Sequence, residues 1–300
     1  MIEGQEGVSW PEWRALAKAC EAAGIPALFR SDHYVSVMGE EARGSLDAWA
    51  VITALAAETT TLRLGTLVSP VTFRHPSELA KVVTVADHVS RGRVELGLGA
   101  GWNEREHAAY GFPFPPLKAR MDMLAEQLEI VHGQWTESPF SFAGEHYRIE
   151  DVVAEPRPVQ SPHPPLLMGG QAGPRAAALA ARWADEYNAA LAPFDEVLAR
   201  KARIEAACEA AGREPIPVSL MTSVLVGRDR AEYDDRLRLL DERHGRAPGE
   251  AAITGTVDEV AEQLGALRDA GIARVMCQHL LHDDLDAVAL IGEDLAPQVK

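Results

Sequence analysis

Short apolar runs alternate along the chain with amphipathic stretches at helical spacing. Ser9 and Glu12 form a capping-box pair that opens a helix through about Ala23, and Gly24 stops it. Ala27 to Arg30 reads as a strand, Leu46 to Glu58 as a helix and Leu62 to Val68 as a strand. Pro76 starts the next helix, where its missing N–H costs nothing. Val94 to Leu98 is a strand, and Leu117 to Trp135 is a long helix. The rhythm then breaks. Thr136 to Pro165, rich in proline and aromatic residues, reads as an inserted hairpin and loop. It resumes with the strand Leu166 to Met168 and a helix from Pro174 to Trp183. Glu186 to Ala190 follows, then a helix to Ala211, the strand Val218 to Val226 and a helix from Asp229. A second capping-box pair, Thr256 and Glu259, opens a helix to Ala270, ended by Gly271 before the last strand, Ala273 to His279.

Repeated β-then-α units imply parallel strands joined by helical crossovers. The candidate for an eighth strand is the short Met1 to Glu3, so the pattern predicts a (β/α)8 TIM barrel of the α/β class with a shortened first strand. A doubly wound open sheet is the competing architecture. No glycine-rich fingerprint lies between Met1 and Ser9 to support it. Residues 1–300 are read as a single domain, with the insertion at about 136–165.

Composition narrows the function. With 47% hydrophobic residues in 300, a large core is available. The charge balance, 29 basic against 45 acidic side chains, gives a net −16 with no basic block, which argues against a nucleic-acid surface. Three scattered cysteines argue for a reducing compartment. The apolar runs fall short of the roughly 18 residues that mark a membrane span. A cytoplasmic protein acting on a small molecule is expected.

Barrel enzymes carry their sites at the C-terminal ends of the strands, and four polar or glycine-rich stretches fall there. In "SDHY", His33 is a candidate acid–base group with Asp32 to orient it; the plainer alternative is a turn-capping Asp32 and a surface histidine. In "LGTLVSPVTFRHP", Arg74 and His75 read as solvent residues ahead of a helix. In "LGLGAGWNEREH", Gly97, Gly99 and Gly101 would permit positive φ and close backbone approach to a flat ligand. In "LLMGGQAGPR", the N–H groups of Gly169, Gly170, Gln171 and Ala172 could cradle a phosphate, with Arg175 adding charge. The histidines make no closed metal set, and no nucleophile elbow or phosphate-binding P-loop occurs.

Taken in this order, "SDHY", "RLGTLVSPVTFRHP", "GRVELGLGAGWNEREHAAYGFPFP" and "ADEYN" resemble the bacterial luciferase-like superfamily, most of all its coenzyme F420-dependent oxidoreductases. The resemblance implies a homodimeric barrel without metal that moves a hydride between the deazaflavin F420 and a small organic substrate. It places Asp32 and His33 beside the deazaflavin ring, His33 as the proton partner, and makes Glu104 a candidate acid or base. It implies a non-proline cis peptide at Leu67–Val68 behind the ring, with Thr66 and Ser69 beside it. Ala100, Gly101 and Trp102 would line the cofactor, and Gly169 and Gly170, with Gln171, would hold its phosphate. Tyr34 and Trp102 would wall the substrate pocket. Two alternatives stay open: an FMN-dependent monooxygenase of the same superfamily, and a barrel that binds flavin or deazaflavin without turnover.

Overall fold

The computed structural model describes residues 1–39, 43–245 and 247–299. Its strands are β1 (Ala27–Arg30), β2 (Arg63–Thr66), β3 (Ser69–Pro70), β4 (Val94–Gly99), β5 (Phe140–Ala143), β6 (Arg148–Val152), β7 (Leu166–Gly169), β8 (Glu186–Asn188), β9 (Val218–Gly227), β10 (Ile253–Thr256) and β11 (Val275–Gln278). The helices are α1 (Trp10–Ala22), α2 (Ala48–Glu58), α3 (Pro76–Ser90), α4 (Glu104–Tyr110), α5 (Leu117–Thr136), α6 (Pro174–Trp183), α7 (Phe194–Ala210), α8 (Arg230–His244), α9 (Val257–Asp269) and α10 (Leu285–Leu290). Both capping boxes form, at the starts of α1 and α9. The strands and α-helices that periodicity left out are short: β3, α4, β10 and α10.

The parallel order β1-β2-β4-β7-β8-β9 continues to β11, which pairs with the first half of β9, while β10 pairs with its second half. Met1–Ile2 closes the ring. Ile2 bridges Arg30 in parallel, the Ile2 N–H donates to the Phe29 carbonyl at 2.9 Å, and the His279 N–H donates to the Met1 carbonyl at 2.9 Å. The short first strand therefore serves both neighbouring edges. The 136–165 segment carries the antiparallel β5–β6 hairpin outside the barrel.

Strand alternation sorts the side chains into two cores. Leu28, Leu64, Val94, Leu96, Leu98, Leu166, Met168 and Tyr187 belong to the large cluster shared with the helices. Phe29, Leu67, Leu167, Met221 and Met276 form a smaller one inside the barrel. Next to it a charged layer joins four strand-borne or strand-flanking residues: Glu95 accepts from Arg63 at 2.5 Å and Arg274 at 2.6 Å, and Arg274 also donates to Glu186 at 2.9 Å.

The glycines of β4 have a different purpose from the one expected. Gly97 and Gly99 do not lie at positive φ. A Cβ on Gly97 would stand 2.2 Å from the Thr66 carbonyl oxygen, and one on Gly99 would meet the Val68 side chain at 2.7 Å. They make room for the Leu67–Val68 turn, whose peptide bond is cis, while Gly101 alone of the three has positive φ, at 79°. Gly97→Ala should therefore destabilise the protein by about 1–3 kcal/mol through overpacking. Gly265→Ala, on an open helix position, should stabilise by about 0.5–1 kcal/mol. Urea midpoints of the two variants check both signs.

Candidate functional site

A cleft of about 1100 Å³ opens at the C-terminal ends of the strands. The exit of β1 shows how it is built. Asp32 and Tyr34 turn away from the cleft, toward a common partner, and His33 between them turns in. Arg74, expected in solvent, has a side chain only 10% exposed. It donates to Asp32 at 2.6 Å and to Asp47 at 2.5 Å, and it reaches the Tyr34 hydroxyl at 3.3 Å. Tyr34 Oη donates to Asp47 at 2.8 Å. Burial opposes the charge on Arg74, but the two carboxylates outweigh it and raise its pKa. Burial, aided by Asp47 and opposed by Arg74, likewise raises that of Tyr34.

Asp32 therefore does not orient His33. It is 1% exposed, absent from the cleft wall, and also accepts from the Ser69 hydroxyl at 2.8 Å. The carboxylate on His33 is Glu106, whose Oε1 lies 2.7 Å from Nδ1 and whose Oε2 accepts the Tyr34 N–H at 3.0 Å. Glu106 is 1% exposed. Burial lowers the His33 pKa, the Glu106 hydrogen bond and charge raise it, and the net shift is upward. Nε2 is left with no protein partner among the described residues. Trp102 meets the imidazole edge-on, ring centroids 5.5 Å apart.

Glu104, the expected acid, sits at the exposed start of α4 and does not line the cleft. Two positions on, the helix turns Glu106 inward. Glu106 and His107 are the buried pair of this helix. Glu3 was also missed, because Met1 to Glu3 was read only as strand. Its carboxylate is 7% exposed on the cleft wall and accepts from Gln5 Nε2 at 2.8 Å and Gln278 Nε2 at 2.6 Å.

Of the positions expected around a cofactor, Leu67, Val68, Ala100, Gly101, Trp102, Gly169, Gly170 and Gln171 line the cleft. Thr66 and Ser69 do not. Both are buried behind the turn, Thr66 on the Gly97 carbonyl at 3.1 Å and Ser69 between Trp49 and Asp32. Tyr34, expected in the pocket wall, belongs to the Arg74 network instead. The expected phosphate cradle is altered as well. The Gly170 N–H donates to the Asn188 carbonyl at 3.0 Å and the Ala172 N–H to Tyr187 Oη at 2.8 Å, so neither is available. The free donors are one step on: Arg175 and Ala176, in the first turn of α6, line the cleft, and first-turn N–H groups have no partner within their helix. The Arg175 guanidinium is paired with Asp122.

The cleft thus brings a histidine–carboxylate pair and a helix N-terminus together. The sequence profile of the luciferase-like monooxygenases matches residues 2–274. The chain belongs to that family. It is 39% identical to an uncharacterized Mycobacterium tuberculosis protein over 125 residues, 42% of this chain and 43% of that one, so the matched stretch spans less than half of that relative. It is 28% identical to the F420-dependent glucose-6-phosphate dehydrogenase of Nakamurella multipartita over 316 aligned positions, 95% of this chain and 91% of the relative. Among solved structures, the monooxygenase RslO1 of Streptomyces bottropensis superposes with a TM-score of 0.85 at 24% identity, covering 100% of this chain and 99% of that one, which bears on fold alone. Among the described residues no helix is long and apolar enough to cross a membrane, and no group of three or more His, Cys, Asp or Glu could hold a metal ion.

Removing Arg74 leaves the Asp32 carboxylate buried and unpaired. Arg74→Met should cost about 3–5 kcal/mol, and the double variant Arg74→Met/Asp32→Asn should recover part of that loss; equilibrium urea unfolding measures both.

Proposed function

We propose that this luciferase-like protein is an oxidoreductase that moves a hydride between coenzyme F420 and a small organic substrate. The observation that carries the reading is the His33–Glu106 pair: an imidazole on the cleft wall, its Nδ1 held by a buried carboxylate and its Nε2 free. The residues present fit a flat, phosphate-bearing ring cofactor. The Leu67–Val68 turn offers an apolar wall, and the first turn of α6 offers N–H donors beside the glycine pair. The choice of F420 over FMN rests on the dehydrogenase relative, which covers nearly the whole chain.

A reduced deazaflavin supplies hydride. This chain supplies the rest. His33 holds a proton at Nε2 and gives it to the oxygen that becomes an alkoxide as hydride arrives, or takes it back in the reverse direction. Glu106 stabilises the imidazolium and fixes the ring through Nδ1. Trp102 covers the pair from one side. A homodimer is part of the same reading.

Because Glu106 raises the His33 pKa, the protonated donor persists above the ordinary histidine range and is lost as pH rises through the shifted value. Reduction of substrate should fall on that alkaline side, and Glu106→Gln should move the fall to lower pH. A fluorescence titration should show F420 bound in preference to FMN. His33→Ala should leave that affinity nearly intact while removing turnover. A preference for FMN would move the protein to the oxygen-using members of the family, and equal loss of binding and turnover would remove His33 from the chemistry.

A further inference from the structure

Asn188 carries an acceptor that the protein does not use. The residue ends β8, is fully buried at 0% exposure, and lines the cleft. Its Nδ2 donates to Ser219 Oγ at 2.8 Å and passes 3.9 Å from Met276 Sδ. With Nδ2 held by the Ser219 hydroxyl oxygen, Oδ1 is the end without a partner. Other buried side-chain atoms among the described residues are also unpartnered, on Trp13, Arg30, Arg120 and Gln127, but none of those residues lines the cleft.

A buried acceptor left unmade is costly, and native proteins keep one where a ligand or water completes it. Met276 passes beside the amide and shares a cluster with Met221 and Leu67, so apolar surface adjoins the unused acceptor. A ligand that meets both presents a donor at the edge of an apolar surface. Building on the cofactor reading above, we propose that Asn188 Oδ1 accepts a hydrogen bond from an N–H or O–H at the ring edge of the bound flavin or deazaflavin. It thereby discriminates rings that carry such a donor from rings that do not.

Three probes separate the possible donors. F420 has a ring hydroxyl and an imide N–H, FMN has the imide N–H alone, and N3-methyl-FMN has neither. Asn188→Leu keeps the shape and removes the acceptor, while Asn188→Asp keeps an acceptor. The purified protein is titrated with each probe by fluorescence, and its melting is recorded without ligand. The expected result is at least a tenfold loss of F420 affinity in Asn188→Leu, with most of it retained in Asn188→Asp, N3-methyl-FMN affinity unchanged, and both variants melting like the parent protein. A loss for F420 alone assigns the ring hydroxyl; an equal loss for F420 and FMN assigns the imide. Equal loss for all three probes, or for none, overturns the assignment while leaving the cofactor reading in place. A parent protein that binds none of the three removes both.

Discussion

Arg74 is the group on which the site depends. One guanidinium is shared by Asp32 after β1 and Asp47 at the start of α2, with the Tyr34 hydroxyl between them. Two carboxylates and one cation in a mostly buried setting hold their geometry tightly, because each group would be costly to leave alone. Their shared position pins the residues on either side of His33. With Asp32 and Tyr34 turned to Arg74, His33 is turned into the cleft, where Glu106 meets it.

The same division of labour recurs around the cleft. Polar residues that look catalytic in sequence are often supports. Asp32, Ser69 and Thr66 hold the β1 exit and the Leu67–Val68 turn in place from behind. Gly97 and Gly99 leave the volume that this turn needs. The polar groups on the cleft wall include His33, Glu106, Glu3, Asn188, Ser223 and Gln278, with the first turn of α6. Apolar surface from Leu67, Val68, Met221 and Leu225 lies among them, which strengthens the polar contacts it shields.

The barrel was legible because periodicity, caps and β-then-α alternation agree along nearly the whole chain. Even Met1–Glu3, short as it is, could be placed as the missing stave. The site was legible as a set of strand ends and less so as contacts. Sequence adjacency suggested Asp32 for His33, but neighbouring residues leaving a strand point to opposite sides. The partner came from 73 positions further on. Glu104 and Glu106 differ only in helix face, and a seven-residue helix gives too little periodicity to choose between them. Arg74 looked like a solvent residue because its two acids lie 42 and 27 positions away. Asn188 was visible only as part of "ADEYN", since an unused acceptor is a property of packing.

The central claim is that a buried carboxylate at Nδ1 keeps the His33 imidazole protonated beyond its ordinary range on the cleft wall. Nitrogen-edited NMR titration of the ring in the ligand-free protein tests it most directly, in the parent chain and in Glu106→Gln. The account predicts a His33 pKa above the ordinary histidine value in the parent and a lower one in the variant, where the charges of Glu3 and Asp32 are left to oppose burial. A parent pKa at or below the ordinary value, or one that Glu106→Gln leaves unmoved, would contradict it.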